Sequence, residues 1–336
     1  MENRVTLKEL SKLLNVSIST VSKALRDSPE ISPETRKKVK ELAELNQYVP
    51  NALAQNLKNR KTKTIGVIIP SILPHFFAKA LHGIETKAAE LGYGIIICIS
   101  NESREKEAES IKRLMNGRVD GLILSLSRET QASKDTSHIM DILKYRIPLV
   151  LFDRVLEEID CDKVSINDAL QAEQATIKLF QQSCRKIVYC TGISNTSVDD
   201  QRKTGYLQAL ESLKLDSNFV EFDTPEVASV AIQKLLKQDK MDAVLASDEL
   251  SAILAMKSIL KSGYRIPEDV AIIGFTNGSM SEHFVPSLTT VDQHAEEQGS
   301  LALETMVDRI EGKLPADKLN YKLETSIIQR DSTLPE

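Results

Sequence analysis

The sequence predicts an α/β protein in two parts, a small all-α head and a larger body whose two lobes are each built on a parallel sheet. Three observations predict it. Short helix-patterned segments with capping residues fill the first fifty positions. Beyond Lys63, apolar runs of strand length alternate with longer amphipathic stretches. The 336 residues suffice for two sizeable cores. Hydrophobic residues make up 41% and charged residues 27%, a balance that excludes extended disorder. No apolar run approaches the roughly 20 residues of a spanning helix, and no signal-peptide core follows Met1, so a cytoplasmic protein with no membrane role is expected. The four cysteines (Cys98, Cys161, Cys184, Cys190) lie far apart without a C-x-x-C pair, which reads as reduced, structural thiols.

In the head, Thr6-Leu7-Lys8-Glu9 has capping-box spacing, so a helix starts there, with Leu7, Leu10 and Leu14 on one face. Asn15-Val16 makes a tight connection to Ser17, a second N-cap, and Ile18 to Arg26 forms the second helix. Ser32-Pro33 supplies a third cap with proline at the first helical position, and Val39, Leu42 and Ala43 continue an apolar face. Two short helices joined this tightly, with a third behind them, form the helix-turn-helix pattern, whose second helix enters the DNA major groove. Its outward face here carries Ser17, Ile18, Ser19, Ser22 and Lys23. Hydroxyls can bond phosphates or base edges, Ile18 can touch a thymine methyl, and Lys23 can reach guanine or phosphate. A generic three-helix bundle would explain the periodicity but not this crowding of polar groups.

Charge supports the same reading. The chain has 43 basic and 48 acidic residues, a net of −5, yet residues 1–64 carry 13 basic against 7 acidic, leaving the remainder at −11. A basic head on an acidic body suits a polyanionic partner, with the body limiting indiscriminate adhesion.

The body alternates strand and helix from Thr64–Ile69 onward, through Gly94–Ser100, Gly121–Ser125 and Leu149–Phe152, and a second series is expected to open at Lys163–Ile166. Runs such as Ile65 to Ile69 and Gly94 to Ile99 are what strands buried on both faces require. Ligands of parallel sheets collect at the carboxyl ends of the strands, which nominates Pro70 to Phe77, Ser125 to Ser127, Asp153-Arg154, Ser247-Asp248 and Thr276-Asn277.

The motifs Val5-Thr6-Leu7-Lys8-Glu9-Leu10, Val16-Ser17, Thr20-Val21-Ser22-Lys23-Ala24-Leu25, Ile31-Ser32-Pro33-Glu34-Thr35-Arg36 and Tyr48-Val49-Pro50-Asn51-Ala52-Leu53-Ala54-Gln55-Asn56-Leu57 together resemble the head and hinge of the lactose-repressor (LacI/GalR) family of transcription regulators. The body motifs Asp153-Arg154, Arg202-x-x-Gly205-Tyr206, Ser247-Asp248, Pro267-Glu268-Asp269-Val270, Gly274-Phe275 and Gln329-Arg330-Asp331-Ser332-Thr333 fit that family's periplasmic-binding-protein-like body. The resemblance implies a helix-turn-helix domain at 1–50, a hinge helix and linker at 51–62, and an effector-binding and dimerisation domain at 63–333. In that domain lobe 1 covers about 63–162 and 292–322, and lobe 2 about 163–291 and 323–333. It further implies that Thr6, Ser17 and Thr20 anchor phosphates, that Ile18, Ser19 and Lys23 read the major groove beside the outward Ser22, and that Asn51, Ala54 and Leu57 belong to a hinge whose leucine wedges into the minor groove. A hinge of about two turns is marginal alone, so it is expected to order only with DNA and a second copy.

For the effector, the strand-end positions nominate His75, Ser125 and Thr276, and the resemblance adds its weight to Phe76, Phe77, Asp153, Arg154, Arg202, Ser247 and Asp248. The planar fork of Arg202 can hold vicinal hydroxyls or a carboxylate, or can form an interlobe ion pair. Phe76 can stack on a sugar face or sit in the core. Family members commonly have Asp where this chain has Thr276, which leaves a sugar, a sugar phosphate or no small molecule open.

The expected function is therefore a homodimeric, effector-controlled regulator, most simply a repressor, of a pseudo-palindromic operator, needing no cofactor or metal. The alternatives are a sugar-binding protein or an α/β enzyme with no DNA role. No Walker, G-x-S-x-G or H-E-x-x-H motif occurs, Gly92-Tyr93-Gly94 precedes its strand rather than following one, and the five histidines do not cluster in sequence.

Overall fold

The computed structural model describes residues 5–48 and 62–335, and the chain forms two compact units that divide between Lys61 and Thr62. In the first unit, α1 (Leu7–Leu13) begins at a complete capping box: the Thr6 hydroxyl accepts from Glu9 N at 3.3 Å, and the Glu9 carboxylate accepts from Thr6 N at 2.7 Å. Asn15, at φ +51, turns the chain into α2 (Ile18–Ala24), capped by Ser17, and α3 (Pro33–Leu45) follows with Ser32 as cap and Pro33 opening the helix. Leu10, Val21, Ala24, Val39 and Ala43 meet in a small core that fixes the three helices on one another.

The second unit follows the order β1 (Thr64–Ile69), α4 (His75–Leu91), β2 (Gly94–Ile99), α5 (Arg104–Met115), β3 (Gly121–Leu124), α6 (Arg128–Ser133), α7 (Ser137–Lys144), β4 (Leu149–Phe152) and β5 (Asp162–Ile166). It continues with α8 (Asp168–Gln181), β6 (Ile187–Thr191), α9 (Ser197–Leu213), β7 (Asn218–Glu221), α10 (Pro225–Lys237), β8 (Ala243–Ala246), α11 (Glu249–Lys261) and β9 (Ala271–Phe275). It closes with α12 (Ser279–His283), β10 (Thr289–Asp292), α13 (Ala295–Glu311), β11 (Asn320–Leu323) and β12 (Ser326–Ile328).

The strands form two six-stranded sheets, ordered β11-β5-β4-β3-β1-β2 and β12-β10-β9-β8-β6-β7. Among the described residues every pairing is parallel except β12 on β10. The chain passes between the sheets after β5, after β10 and after β11. Apolar layers flank each sheet: Ile65, Val67 and Ile69 of β1 face α4 and α13, whereas Ile68 faces α5 and α7. The fit of α4 on α13 depends on two glycines, since a Cβ at Gly83 would lie 2.0 Å from Glu296 O and one at Gly299 2.0 Å from Ala80 O. No helix among the described residues is long and apolar enough to cross a membrane.

Two expectations need correction. The run Lys163–Ile166, expected to open the second lobe, lies in β5, which pairs with β4 and β11 in the first sheet. An apolar strand does not reveal which sheet it joins, and the crossing comes after it, at α8. The run Gly94–Ile99, expected to be buried on both faces, is the edge strand β2, with Ile96, Ile97 and Ile99 at 37%, 43% and 37% exposure. A run of isoleucines does not reveal whether its strand lies inside a sheet or at its edge.

Candidate functional site

The head presents the face that its capping pattern dictates. Val21 and Ala24 of α2 turn into the core, which leaves Ser17, Ile18, Ser19 and Lys23 exposed and Thr20 and Ser22 half-buried. Ile18 is 46% exposed, and the Lys23 side chain is 49% exposed and ion-paired to Glu30. The Ser17 hydroxyl lies 2.7 Å from Ser19 Oγ and 2.8 Å from Thr20 Oγ1, so three hydroxyls sit in one connected cluster at the start of the helix. Thr6 lies at the start of α1, where its hydroxyl also donates to Glu9 at 3.0 Å. Asn51, Ala54 and Leu57 lie outside the described residues.

In the body, the segments that follow β1, β9 and β10 border a cavity of about 220 Å³. One wall comes from His75 and Phe76 in the first turn of α4 and from Lys79 in the next. Thr276 and Asn277 after β9, Asp292 to His294 at the end of β10, and the first turn of α13 supply the rest. The Thr276 hydroxyl donates to Gln293 Oε1 at 2.7 Å, with Thr276 held in the left-handed region at φ +78. Asn277 bridges Asp292 and Arg330, donating at 3.0 Å and accepting at 2.6 Å.

A second set of side chains gathers charge beneath the ends of β3, β4, β5 and β8. Arg202 is 2% exposed; its Nε donates to Asp168 Oδ1 at 2.8 Å, its Nη1 donates to Ser247 O, and its guanidinium lies 3.9 Å over the Phe275 ring. Its Nη2 lies 2.7 Å from the same Asp168 oxygen but makes no aligned hydrogen bond. Burial raises the Asp168 carboxyl above its ordinary value although Arg202 pulls it down. Burial also pushes Asp153 up to about 7, against the attraction of Arg154 and Arg202. Arg154 is paired to Glu102 at 2.7 Å, and the hydroxyl of the wholly buried Ser125 has no partner among the described residues. Ser247 donates to Thr191 at 2.9 Å, and Asp248 caps α11 by accepting from Ser251 N at 3.0 Å. The lobes meet at α6, where Arg128 donates to Gly192 O at 2.9 Å and Ser197 N donates to Gln131 Oε1 at 2.7 Å.

The structure therefore brings His75, Phe76 and Thr276 to the cavity, and places Ser125, Asp153, Arg154, Arg202 and Ser247 in the polar cluster. Phe77, expected at the effector, is a correction: it is 3% exposed, in edge contact with Phe152 at 6.5 Å and beneath Arg154. His75 and Phe76 border the cavity from the first turn of α4, whereas Phe77 turns into the core of the first sheet. Sequence reasoning missed Gln293 and Asp168. Both follow strand ends, the signal used for the others, but β10 was not anticipated and β5 was assigned to the wrong sheet.

Comparison with known proteins agrees with this architecture. Residues 6–51 match the lacI family of bacterial regulatory proteins, and residues 178–333 match the periplasmic binding protein-like domain. The chain is 35% identical to the ribose operon repressor of Haemophilus influenzae over 97% of this chain and 98% of that one. Among solved structures, the Lac repressor dimer bound to operator and the anti-inducer ONPF superposes with a TM-score of 0.87 at 22% identity, covering 99% of this chain and 100% of that one, a likeness of fold. The transcriptional regulator CelR in complex with cellobiose gives a TM-score of 0.72 at 27% identity, covering 98% of this chain and all of that one. With these relatives spanning both units, the chain belongs to the lacI family of bacterial regulatory proteins: it is a DNA-binding transcriptional repressor with an effector-binding body, not an enzyme.

Proposed function

We propose that the protein is a cytoplasmic homodimer whose two heads read the half-sites of a pseudo-palindromic operator, and whose operator affinity is set by a neutral sugar or sugar derivative held between the lobes. The outward face of α2 carries the DNA part of the reading. Ile18, Ser19, Ser22 and Lys23 address base edges, Thr6, Ser17 and Thr20 hold phosphates, and Asn51, Ala54 and Leu57 form the minor-groove hinge. The apolar edge of β2 supports the dimer, because Ile96, Ile97 and Ile99 are surface that a second copy would cover.

The choice of a neutral ligand rests on charge. Arg202 and Arg154 already have carboxylate partners in Asp168 and Glu102, so a phosphate ester would have to displace them. What remains suits hydroxyls: the unaligned Arg202 Nη2, the unpartnered Ser125 Oγ, the Thr276–Gln293 pair, Asp153 and the flat edge of Phe76. The ribose named for one relative and the cellobiose bound to another support the same class. Coupling of the two sites is reciprocal, so an effector that weakens operator binding is itself held less tightly on DNA.

The test begins by selecting duplexes from a randomised pool with the full chain. D-ribose, cellobiose and ribose 5-phosphate are then titrated by calorimetry and by anisotropy on the selected duplex. Lys23→Ala should lose roughly tenfold, the 1–3 kcal/mol scale of a base contact, on the selected duplex while binding a scrambled one nearly as well. No enriched sequence would defeat the DNA reading, and tighter binding of the phosphate ester than of any sugar would defeat the neutral ligand.

A further inference from the structure

The chain enters the body at Thr62 and Lys63, and one carboxylate holds that entry. Asp120 Oδ1 accepts from Thr62 N at 2.5 Å and from Thr62 Oγ1 at 2.8 Å, and Asp120 Oδ2 accepts from Lys63 N at 2.8 Å. Asp120 N in turn donates to Thr64 O at 2.8 Å, which registers the clamp on the first residue of β1. The second lobe repeats the device away from the linker. Asp242 accepts from Arg185 N at 2.7 Å and Lys186 N at 2.8 Å, and its own N donates to Lys186 O at 3.1 Å. The clamp is thus a general way of starting these sheets, and one copy of it sits where the chain arrives from the head.

Two helices connect that point with the effector cavity. The first turns of α4 and α13 line the cavity. At their other ends, Tyr93 lies beneath the Lys63 ammonium at 4.0 Å and Glu311 faces it at 3.6 Å, while Gly94 N donates to Lys63 O at 2.8 Å. Each helix has 17 residues, a span of about 25 Å. The backbone contacts at Gly83 and Gly299, together with the Ser300 hydroxyl donating to Gly83 O at 3.2 Å, oppose sliding of one past the other. The cavity and Lys63 therefore sit at opposite ends of one closely packed helix pair.

We propose that Asp120 is the positioning residue that couples the body to the linker, fixing Thr62–Lys63 to the end of the α4–α13 pair so that the state of the cavity sets where the chain toward the head departs. It does not line the cavity. The inference rests on the protein being an operator-binding regulator. It goes further by naming the joint that makes operator affinity depend on the body.

The test compares full-length Asp120→Asn with full-length Asp242→Asn, which opens the equivalent clamp in the other lobe. Amide hydrogen exchange should accelerate at Thr62 and Lys63 in the first and at Arg185 and Lys186 in the second. Asp120→Asn should weaken binding to a duplex selected by the parent chain by about tenfold, within the ordinary range of coupling between sites, and leave a scrambled duplex within about twofold. Asp242→Asn should stay within about twofold on both duplexes. Equal losses in the two variants, or an opened Asp120 clamp with unchanged affinity for the selected duplex, would overturn the proposal. If Asp120→Asn does not fold, Thr62→Val removes one bond to the same carboxylate; about a threefold loss on the selected duplex alone is expected, and no loss overturns the assignment. A parent chain that selects no duplex overturns the DNA reading itself, which separates the two failures.

Discussion

Replacing Arg202 by methionine isolates the energetics of the polar cluster. The guanidinium and the Asp168 carboxylate are both almost fully buried, so removing the cation leaves an uncompensated carboxylate in a low-dielectric site. Breaking one half of such a pair costs about 3–5 kcal/mol, whereas replacing both halves with apolar groups of similar volume is often neutral or stabilising. Arg202→Met should therefore lower the unfolding free energy of the body by that amount at pH 7, and Arg202→Met with Asp168→Leu should restore all but about 1 kcal/mol of it. The single variant's deficit should also shrink as the pH is lowered. Without its arginine Asp168 titrates higher still, so the folded state takes up a proton that the unfolded state does not, and stability rises with acidification. Urea unfolding at several pH values measures this, and effector titration should show the response lost in both variants. A single variant within about 1 kcal/mol of the parent, or a deficit independent of pH, would refute the account of a charge held in place by its partner.

Two further outcomes follow from the geometry. Thr6→Ala removes the cap of α1 and should cost the head about 1 kcal/mol, seen as a lower melting midpoint of the head's amide signals with the body's transition unmoved. Because burial pushes Asp153 up to about 7, its ionised form is gained through neutral pH, and a sugar donating hydroxyls to it should bind more tightly at pH 8 than at pH 6. Its contribution to body stability runs the other way, present below about pH 4 and lost as the pH rises through 7, and Asp153→Asn should flatten both profiles.

The parts of this molecule that were legible in its sequence are those governed by local rules. Thr6, Ser17 and Ser32 announce helix starts through side-chain chemistry acting over three residues, and all three caps form. Gly83 and Gly299 gave no such notice, because their need for close approach arises only once two helices 200 residues apart in sequence meet. The placement of β5 was illegible for the same reason: strand pairing is long-range and periodicity is not. In the polar cluster the residue types were legible and their partners were not. Arg202 stood out by its motif, but that Asp168 already occupies it is a fact of tertiary packing, and it changes the ligand chemistry the site favours.

The backbone at Thr276 carries one last consequence. A β-branched residue at φ +78 is held against its own preference, at a cost on the order of 1–2 kcal/mol. The loop keeps it there through Thr276 N on Val291 O at 3.0 Å and through Ser281 and Thr290 hydroxyls on Thr276 O at 3.1 and 3.0 Å. Glycine or asparagine would adopt this shape with less resistance. A directed-evolution campaign rewarding heat tolerance alone should therefore drift toward those residues at this codon, and in doing so erase the hydroxyl that joins Gln293 at the rim of the cavity.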